Sequence, residues 1–130
     1  MTAPAARSAR ILVVDDYLLT RDMVRSILIG LGFTRVATVE NIAHAKIKLV
    51  DDTYDLVICD WNMPNGSGLE LLQFLRSDPK YTKVPFIMLT AEAYRENVVE
   101  AMRAGVSEYI SKPFTGQVLA EKIDLVLGNK

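Results

Sequence analysis

Short apolar runs alternate along this chain with helical patterns, and that alternation restricts the fold more than any other feature. Four runs are rich in β-branched residues, at residues 11–14, 36–39, 56–59 and 86–89, and a weaker run spans residues 108–110. Three of the runs are apolar at every position, which predicts strands that are buried on both faces. Strands that alternate with helices form a parallel sheet with helices on both sides. We therefore predict an α/β fold, a doubly wound (βα)5 parallel sheet with the flavodoxin-like order 2-1-3-4-5.

Apolar residues at helical spacing fill the segments between the predicted strands. Met23, Ile27 and Leu31 recur at a four-residue spacing, and Gly32 supplies a stop after them. Thr115 is predicted to cap the last helix. The other helical sets are Ala43, Ile47 and Val50; Leu69, Leu72 and Leu75; Val98 and Met102; and Leu119, Ile123 and Val126.

The composition is that of one globular domain. The chain has 130 residues, of which 50% are hydrophobic and 24% are charged. Its formal net charge of -1 gives no basic excess of the kind that binds nucleic acid. The single cysteine, Cys59, excludes an internal disulfide, and the single histidine, His44, excludes a multi-histidine metal site. A metal site with oxygen ligands remains open, because carboxylates are plentiful.

The ends of the chain add expectations about its organisation and location. We expect residues 1–8 to be a disordered N-terminal extension and residues 9–130 to form the domain. No apolar stretch is as long as a signal peptide's core or a membrane span. These observations predict a cytoplasmic protein without membrane or nucleic-acid partners.

Polar residues follow four of the predicted strands at the points where the strands end. Asp15 and Asp16 end the first strand, and Asp60 ends the third. Thr90 ends the fourth, and Lys112 comes just after the fifth. In an open parallel sheet these carboxyl ends share one edge, which is where such folds bind ligands. The sequence therefore predicts that three carboxylates, one hydroxyl and one ammonium group converge in one crevice.

This set of groups suits a phosphoryl-transfer site that contains a divalent cation. Three neighbouring carboxylates repel one another, and some stay protonated unless cations join them. Lys112 offsets one charge, and Mg²⁺ suits a site with few protein ligands and several waters. A metal ion and a lysine together spread the charge of a transferring phosphoryl group, and a carboxylate beside them can form an acyl phosphate.

Ordinary structural roles and two other activities compete with this interpretation. Taken alone, Asp15 or Asp16 could cap the first helix and Asp60 could begin a turn, but the joint placement of the polar residues favours the functional interpretation. A flavodoxin-type electron carrier needs a Gly-, Ser- or Thr-rich loop after the first strand, and residues 15–19 offer two anions instead. A haloacid-dehalogenase-type phosphatase has two aspartates two residues apart and then a threonine. Here Asp16 and Thr20 have the right separation, but Leu18 replaces the second acid.

The sequence resembles the receiver-domain family of response regulators over residues 9–128. The resemblance implies a stand-alone response regulator of a two-component phosphorelay, which takes a phosphoryl group on Asp60 with Mg²⁺ as cofactor. The donor would be a sensor histidine kinase or a histidine phosphotransfer domain. The stretches that carry the resemblance are VVDD at 13–16, DWNMPN at 60–65, GLELL at 68–72, LTAEA at 89–93 and KPFT at 112–115.

The resemblance also implies a metal-ligand set and a hydrolytic water path. Asp16 and Asp60 would ligate Mg²⁺ together with the backbone carbonyl of Asn62, and Asp15 would act largely through a metal-bound water. Asn62 and Glu92 would flank the path of the water that hydrolyses the acyl phosphate. Both are polar and leave room for water, so we expect comparatively rapid self-dephosphorylation.

Thr90 and Lys112 would hold the phosphoryl oxygens, and the peptide bond before Pro113 would be cis. Tyr109 would be the switch residue, whose ring moves inward when Thr90 moves toward the phosphoryl group. The affected surface would lie on the fourth helix, the fifth strand and the fifth helix. Its expected residues are Ala93, Tyr94, Tyr109, Ser111, Phe114 and Lys122.

These implications describe a phosphoacceptor switch rather than a conventional enzyme. It would phosphorylate itself from small donors, dephosphorylate itself, and signal through contact with a target protein, since the sequence contains no output domain. We expect a monomer. A phosphate sink or a relay shuttle without a dedicated target is the alternative, and the sequence does not choose between the two.

Overall fold

The computed structural model describes residues 8–63, 66–91 and 95–127, and within these ranges strands and helices alternate. The strands are β1 (Arg10–Val14), β2 (Arg35–Val39), β3 (Leu56–Asp60), β4 (Phe86–Thr90) and β5 (Glu108–Ser111). The helices are α1 (Leu18–Gly30), α2 (Ile42–Asp51), α3 (Gly68–Ser77), α4 (Arg95–Arg103) and α5 (Gly116–Leu127).

The strands form one parallel sheet in the order β2-β1-β3-β4-β5, which confirms the predicted fold class. Because every strand runs the same way, all carboxyl ends lie at one edge. Asp60 and Thr90 are the last residues of the adjacent strands β3 and β4. The sheet itself therefore brings the polar strand ends together.

Two apolar clusters cover the two faces of the sheet. Alternate residues of a strand point to opposite faces, so Val57 and Cys59 enter the cluster beneath α2, α3 and α4, whereas Leu56 and Ile58 enter the cluster beneath α1 and α5. Every residue of β3 and β4 is buried. This burial on both faces is what their uninterrupted apolar runs predict.

The first two helices lie where they were predicted, but the fully buried residues of each lie on a neighbouring stripe. In α1 Val24 and Leu28 are buried, whereas Ile27 and Leu31 of the predicted set are only partly buried against the same cluster and Met23 is 43% exposed. In α2 Leu49 is buried and Ile47 is 58% exposed. Each helix has apolar residues on two stripes, so spacing alone located the helix without choosing the stripe that faces the sheet.

Among the described residues, side-chain caps mark the beginnings of α2, α3 and α5. Oγ1 of Thr115 accepts the backbone N–H of Val118 at 3.2 Å, which confirms the predicted cap of α5. Asn41 and Ser67 cap α2 and α3 in the same manner. In the described structure, α1 begins after Tyr17 without a side-chain cap. Among the described residues, no helix is long and apolar enough to cross a membrane.

Candidate functional site

The carboxyl ends of β1 and β3 bring three carboxylates together. Asp60 ends β3, and Asp15 and Asp16 follow β1, its neighbour in the sheet. One oxygen from each of the three side chains lies within 4.8 Å of the other two. Asp15 and Asp60 are 1% and 6% exposed, whereas Asp16 is exposed to solvent. The site thus has two buried acids and one accessible acid.

Lys112 reaches this cluster from the segment after β5. Its Nζ lies 3.1 Å from Oδ2 of Asp15 and 3.0 Å from Oδ1 of Asp60. Its backbone N–H donates to the carbonyl of Thr90 at 2.7 Å, and its peptide bond to Pro113 is cis, as the resemblance implied. Burial acts to lower the pKa of Lys112, but Asp60 and Asp15 outweigh it and raise that pKa above its ordinary value. The ammonium group is therefore held charged between two acids.

The electrostatics around Asp60 favour the arrival of a further cation. Burial raises the pKa of Asp60, the hydrogen bond from Lys112 opposes that rise, and the charge of Asp15 adds to it. One lysine offsets only one of three acidic charges. The remaining donors are hard oxygens, including exposed Asp16, and Asn62 is exposed two residues beyond Asp60. This donor set fits Mg²⁺, which takes oxygen ligands and keeps several waters.

Close backbone packing holds Trp61 and Gly68 against the ends of β3 and β4. The N–H of Trp61 donates to the carbonyl of Leu89 at 2.8 Å, and the N–H of Gly68 donates to the carbonyl of Trp61 at 2.8 Å. A Cβ on Gly68 would collide with the backbone carbonyl of Asp60 and lie 2.8 Å from Sδ of Met88. Sequence reasoning used Gly68 only as part of a motif. A glycine at the first position of a predicted helix was the signal that α3 approaches the strand end closely.

Asp15 organises the loop between β1 and α1. Its N–H donates to the carbonyl of Val39 at 3.1 Å, and its Oδ1 accepts the N–H of Tyr17 at 2.9 Å. Its other carboxylate oxygen faces Lys112, so both oxygens are engaged. The carbonyl of Asp15 accepts a hydrogen bond from Nη1 of Arg21 at 2.7 Å. The sequence-based site did not include Arg21, because an arginine in the first turns of a helix has no distinctive pattern.

Thr90 and Tyr109 connect the crevice to β5. Thr90 is fully buried at the end of β4, and its side chain is hydrogen-bonded to the Tyr109 side chain. Burial raises the pKa of Tyr109, and the hydrogen bond with Thr90 acts against that rise. The half-buried ring packs against the cluster beneath α2, α3 and α4. The tyrosine therefore already contacts Thr90 in this structure.

The expected partner surface is partly described. Ser111 is exposed, and Phe114 is half-buried against the cluster beneath α1 and α5. Nζ of Lys122 forms an ion pair with Oε1 of Glu108 at 2.8 Å, a link between β5 and α5 that sequence reasoning missed. Three predicted site residues lie outside the described residues, namely Glu92, Ala93 and Tyr94.

Comparison with known proteins identifies close relatives over almost the whole chain. The family described as "Response regulator receiver domain" matches residues 11–124. The chemotaxis protein CheY of Pseudomonas aeruginosa is 41% identical over 117 residues, which cover 90% of this chain and 94% of that protein. Chemotaxis protein CheY-3 of Vibrio cholerae is 40% identical over 126 residues, which cover 97% of each.

Solved structures show the same architecture. The chemotaxis protein CheY4 of Vibrio cholerae superposes with a TM-score of 0.86 at 32% identity, covering 92% of this chain and 98% of that one. The signal receiver domain of a histidine kinase from Syntrophus aciditrophicus gives a TM-score of 0.85 at 29% identity, covering 93% and 91%. The family match over residues 11–124 includes the strand ends that form the crevice.

Proposed function

Because this chain belongs to the response regulator receiver domain family, we propose that it accepts a phosphoryl group on Asp60, with Mg²⁺ bound, from a histidine kinase or a histidine phosphotransfer domain. The observation that carries this proposal is the position of Lys112, within 3.1 Å of Asp15 and 3.0 Å of Asp60 inside a three-carboxylate cluster. A structural ion pair would need one acid for one base. The excess of acids suits a site that binds a divalent cation and then a phosphoryl group.

The proposed reaction is a nucleophilic displacement at phosphorus. A carboxylate oxygen of Asp60 forms a bond to phosphorus, the nitrogen–phosphorus bond of the donor phosphohistidine breaks, and the imidazole keeps the electron pair. Lys112 lies beside the nucleophile and faces the charge of the transferring oxygens. Asp16, Asp60 and the carbonyl of Asn62 would hold Mg²⁺, which would supply further positive charge. The ionised form of Asp60 is the reactive one, and a cation favours it.

The proposed output follows from the contact between Thr90 and Tyr109. A threonine hydroxyl has one proton, so donating it to a phosphoryl oxygen leaves Thr90 able only to accept from Tyr109. That rearrangement favours one position of the Tyr109 ring and changes the surface formed by α4, β5 and α5. A target protein reads the change by contact with residues that include Ser111, Phe114 and Lys122, along with Ala93 and Tyr94.

We also propose that the acyl phosphate is short-lived. The protein is proposed to be cytoplasmic and to be monomeric before phosphorylation. Asn62 is exposed two residues beyond the nucleophile, and the sequence has a second polar residue, Glu92, two residues beyond Thr90. One structural relative is the signal receiver domain of a signal transduction histidine kinase, so the fold alone is compatible with relay as well as output. Transfer of the label from Asp60 back to a histidine phosphotransfer domain, without a phosphorylation-dependent target, would identify a sink or shuttle.

Phosphorylation with a small donor tests the proposal directly. Acetyl phosphate and Mg²⁺ should add one phosphoryl group to the wild-type chain, as measured by intact-mass spectrometry at short times. Asp60→Asn should abolish the addition, and EDTA should prevent it. Asp51→Asn removes an exposed carboxylate at the end of α2 and serves as the matched control that retains the addition. A mass shift that survives Asp60→Asn would show that another residue is the nucleophile.

A further inference from the structure

Asp16 differs from the other two acids in how it is held. Asp15 and Asp60 are buried and paired with Lys112, so packing and charge both fix their side chains. Asp16 is exposed, and α1 begins nearby without a side-chain cap. The position of its carboxylate therefore depends on the backbone that carries it.

Backbone hydrogen bonds hold Asp15 and Tyr17 on either side of Asp16, and a side chain of α1 holds the carbonyl of Asp15. A peptide unit is planar, so an acceptor bond to the carbonyl of Asp15 orients the whole unit that connects Asp15 to Asp16. Nη1 of Arg21 makes that bond at 2.7 Å, within the short range typical of charged donors. Arg21 is half-buried, and its backbone N–H donates to the carbonyl of Tyr17 at 3.0 Å, so the residue that carries the guanidinium lies in the first turn of α1. The bond links the helix to the peptide that carries Asp16.

We infer that Arg21 is a positioning residue for Asp16, and that it raises the affinity of the site for Mg²⁺ although it adds positive charge nearby. This inference rests on the function proposed above. Residues that orient metal ligands commonly change metal affinity by about 10–100-fold when they are replaced. Charge alone predicts the opposite sign, because removing a cation from the neighbourhood of Mg²⁺ should tighten binding. The sign of the change therefore separates positioning from simple electrostatics.

Mg²⁺ titration of the full chain, followed by Trp61 fluorescence, measures that sign. Trp61 is adjacent to Asp60 and only 8% exposed, so it reports on the pocket. Arg21→Met should weaken Mg²⁺ binding about tenfold. Arg25→Met is the matched control, because Arg25 is an exposed arginine one turn further along α1 and the charge change is identical. Arg25→Met should leave the affinity for Mg²⁺ unchanged or slightly higher. The affinity of Arg21→Lys, which keeps a charged donor, should lie between those of wild type and Arg21→Met.

Hydrogen exchange in the metal-free protein provides a second readout. Arg21→Met should speed exchange of the amides of Asp16 and Tyr17, and Arg25→Met should not. If Arg21→Met binds Mg²⁺ as tightly as Arg25→Met, the positioning role of Arg21 is wrong. The proposed function would still stand if Mg²⁺ changes the Trp61 fluorescence of the wild type and Asp16→Asn weakens that change. A wild-type chain without a saturable Mg²⁺ response would overturn both. Urea unfolding of each variant checks that the fold is intact, and Arg21→Lys carries the test if Arg21→Met is unfolded.

Discussion

The charged residues at the carboxyl edge of the sheet, where the strands end, differ in burial and in charge balance from those at the amino edge, where the strands begin. At the carboxyl edge the side chains of Asp15, Asp60 and Lys112 are 1%, 8% and 22% exposed, and acids outnumber the lysine. At the amino edge Arg10 and Asp52 pair at 3.0 Å with side-chain exposures of 40% and 45%. An exposed pair costs and contributes little, whereas a buried and unbalanced cluster disfavours the folded state. A buried cluster with an excess of acids, at the strand ends where open parallel sheets bind ligands, is typical of a functional site rather than of a stabilising ion pair.

The largest expected difference between the edges concerns the loss of one partner from each ion pair. In metal-free protein, Lys112→Met should lower the free energy of unfolding by up to about 3 kcal/mol, because it leaves two buried acids without their cation. Lys112 is 22% exposed, so the effect lies at the low end for a buried pair. Asp52→Asn at the amino edge should cost less than about 1 kcal/mol. Urea unfolding in EDTA, followed by Trp61 fluorescence, measures both.

Adding Mg²⁺ provides a second test of the difference in stability between the Lys112 and Asp52 variants. The Lys112→Met variant keeps its metal-binding carboxylates, so saturating Mg²⁺ should restore part of its stability, and Asp52→Asn should respond no more than wild type. Equal losses at the two edges would mean that burial of the cluster has no energetic consequence.

A second comparison uses two glycines, one near each edge. Gly68→Ala places a Cβ against the carbonyl of Asp60 and 2.8 Å from Sδ of Met88, so we expect a loss of about 1–3 kcal/mol and weaker Mg²⁺ binding. Gly30→Ala, at the end of α1, meets nothing within 4 Å and should be neutral or stabilise by about 0.5–1 kcal/mol. Thermal unfolding of both variants provides the measurement. A harmless Gly68→Ala would contradict the close approach of α3 to the strand end.

The fold and the convergence of the polar groups could be predicted from the sequence, because both depend on short stretches of neighbouring residues. Apolar runs with β-branched residues identify strands, and parallel strands place Asp15, Asp60 and Thr90 at one edge whatever the details of packing. The helix faces were less predictable, because Met23 and Val24 lie on adjacent stripes of α1 and both are apolar. Only the sheet that a helix covers selects the buried stripe.

The contacts that refine the site were not predictable in the same way. The Arg21 bond to the carbonyl of Asp15 and the pairing of Glu108 with Lys122 depend on rotamers and on distances between separate elements. Gly68 is an intermediate case, since its position in the chain hints at close packing but its neighbours are known only from the fold. Local pattern therefore predicts where the polar groups of the candidate site lie, and tertiary geometry decides which contacts support them.

A third and smaller effect is the pH dependence of stability, which reports on Asp60 separately from the other charged residues of the carboxyl edge. Burial raises the pKa of Asp60 above 3.8 in the folded chain, so between the two pKa values the folded state binds more protons than the unfolded state. The contribution of Asp60 to stability therefore falls as pH rises through its folded pKa. Asp60→Asn should be more stable than wild type at neutral pH in EDTA, and the difference should shrink as pH approaches 3.8.

Urea unfolding over a pH series measures this difference, with Asp52→Asn as the amino-edge control. The control should show no such convergence toward wild type at low pH. A gap between Asp60→Asn and wild type that widens on acidification would reverse the sign derived from burial, and would mean that Lys112 dominates the energetics of Asp60.

The smallest expected effects on stability compare two tyrosine hydroxyls. The Tyr81 hydroxyl donates to the carbonyl of Leu49 at 3.2 Å near the amino edge, and the Tyr109 side chain is hydrogen-bonded to Thr90 at the carboxyl edge. Replacing either tyrosine by phenylalanine removes one hydrogen bond and should lower the free energy of unfolding by about 0.5–1.5 kcal/mol.

Beryllofluoride, a phosphoryl mimic at Asp60, should distinguish the two phenylalanine variants. In wild type and Tyr81→Phe its chemical-shift changes should spread from the pocket over β5 and α5, because the Thr90 hydroxyl still transmits the change. In Tyr109→Phe they should stay near the pocket, and the gain in affinity for a partner peptide, of about 1–3 kcal/mol in wild type, should shrink. Shifts that concentrate on α1 in the wild-type chain, or that spread equally in Tyr109→Phe, would show that the signal leaves the pocket by another route.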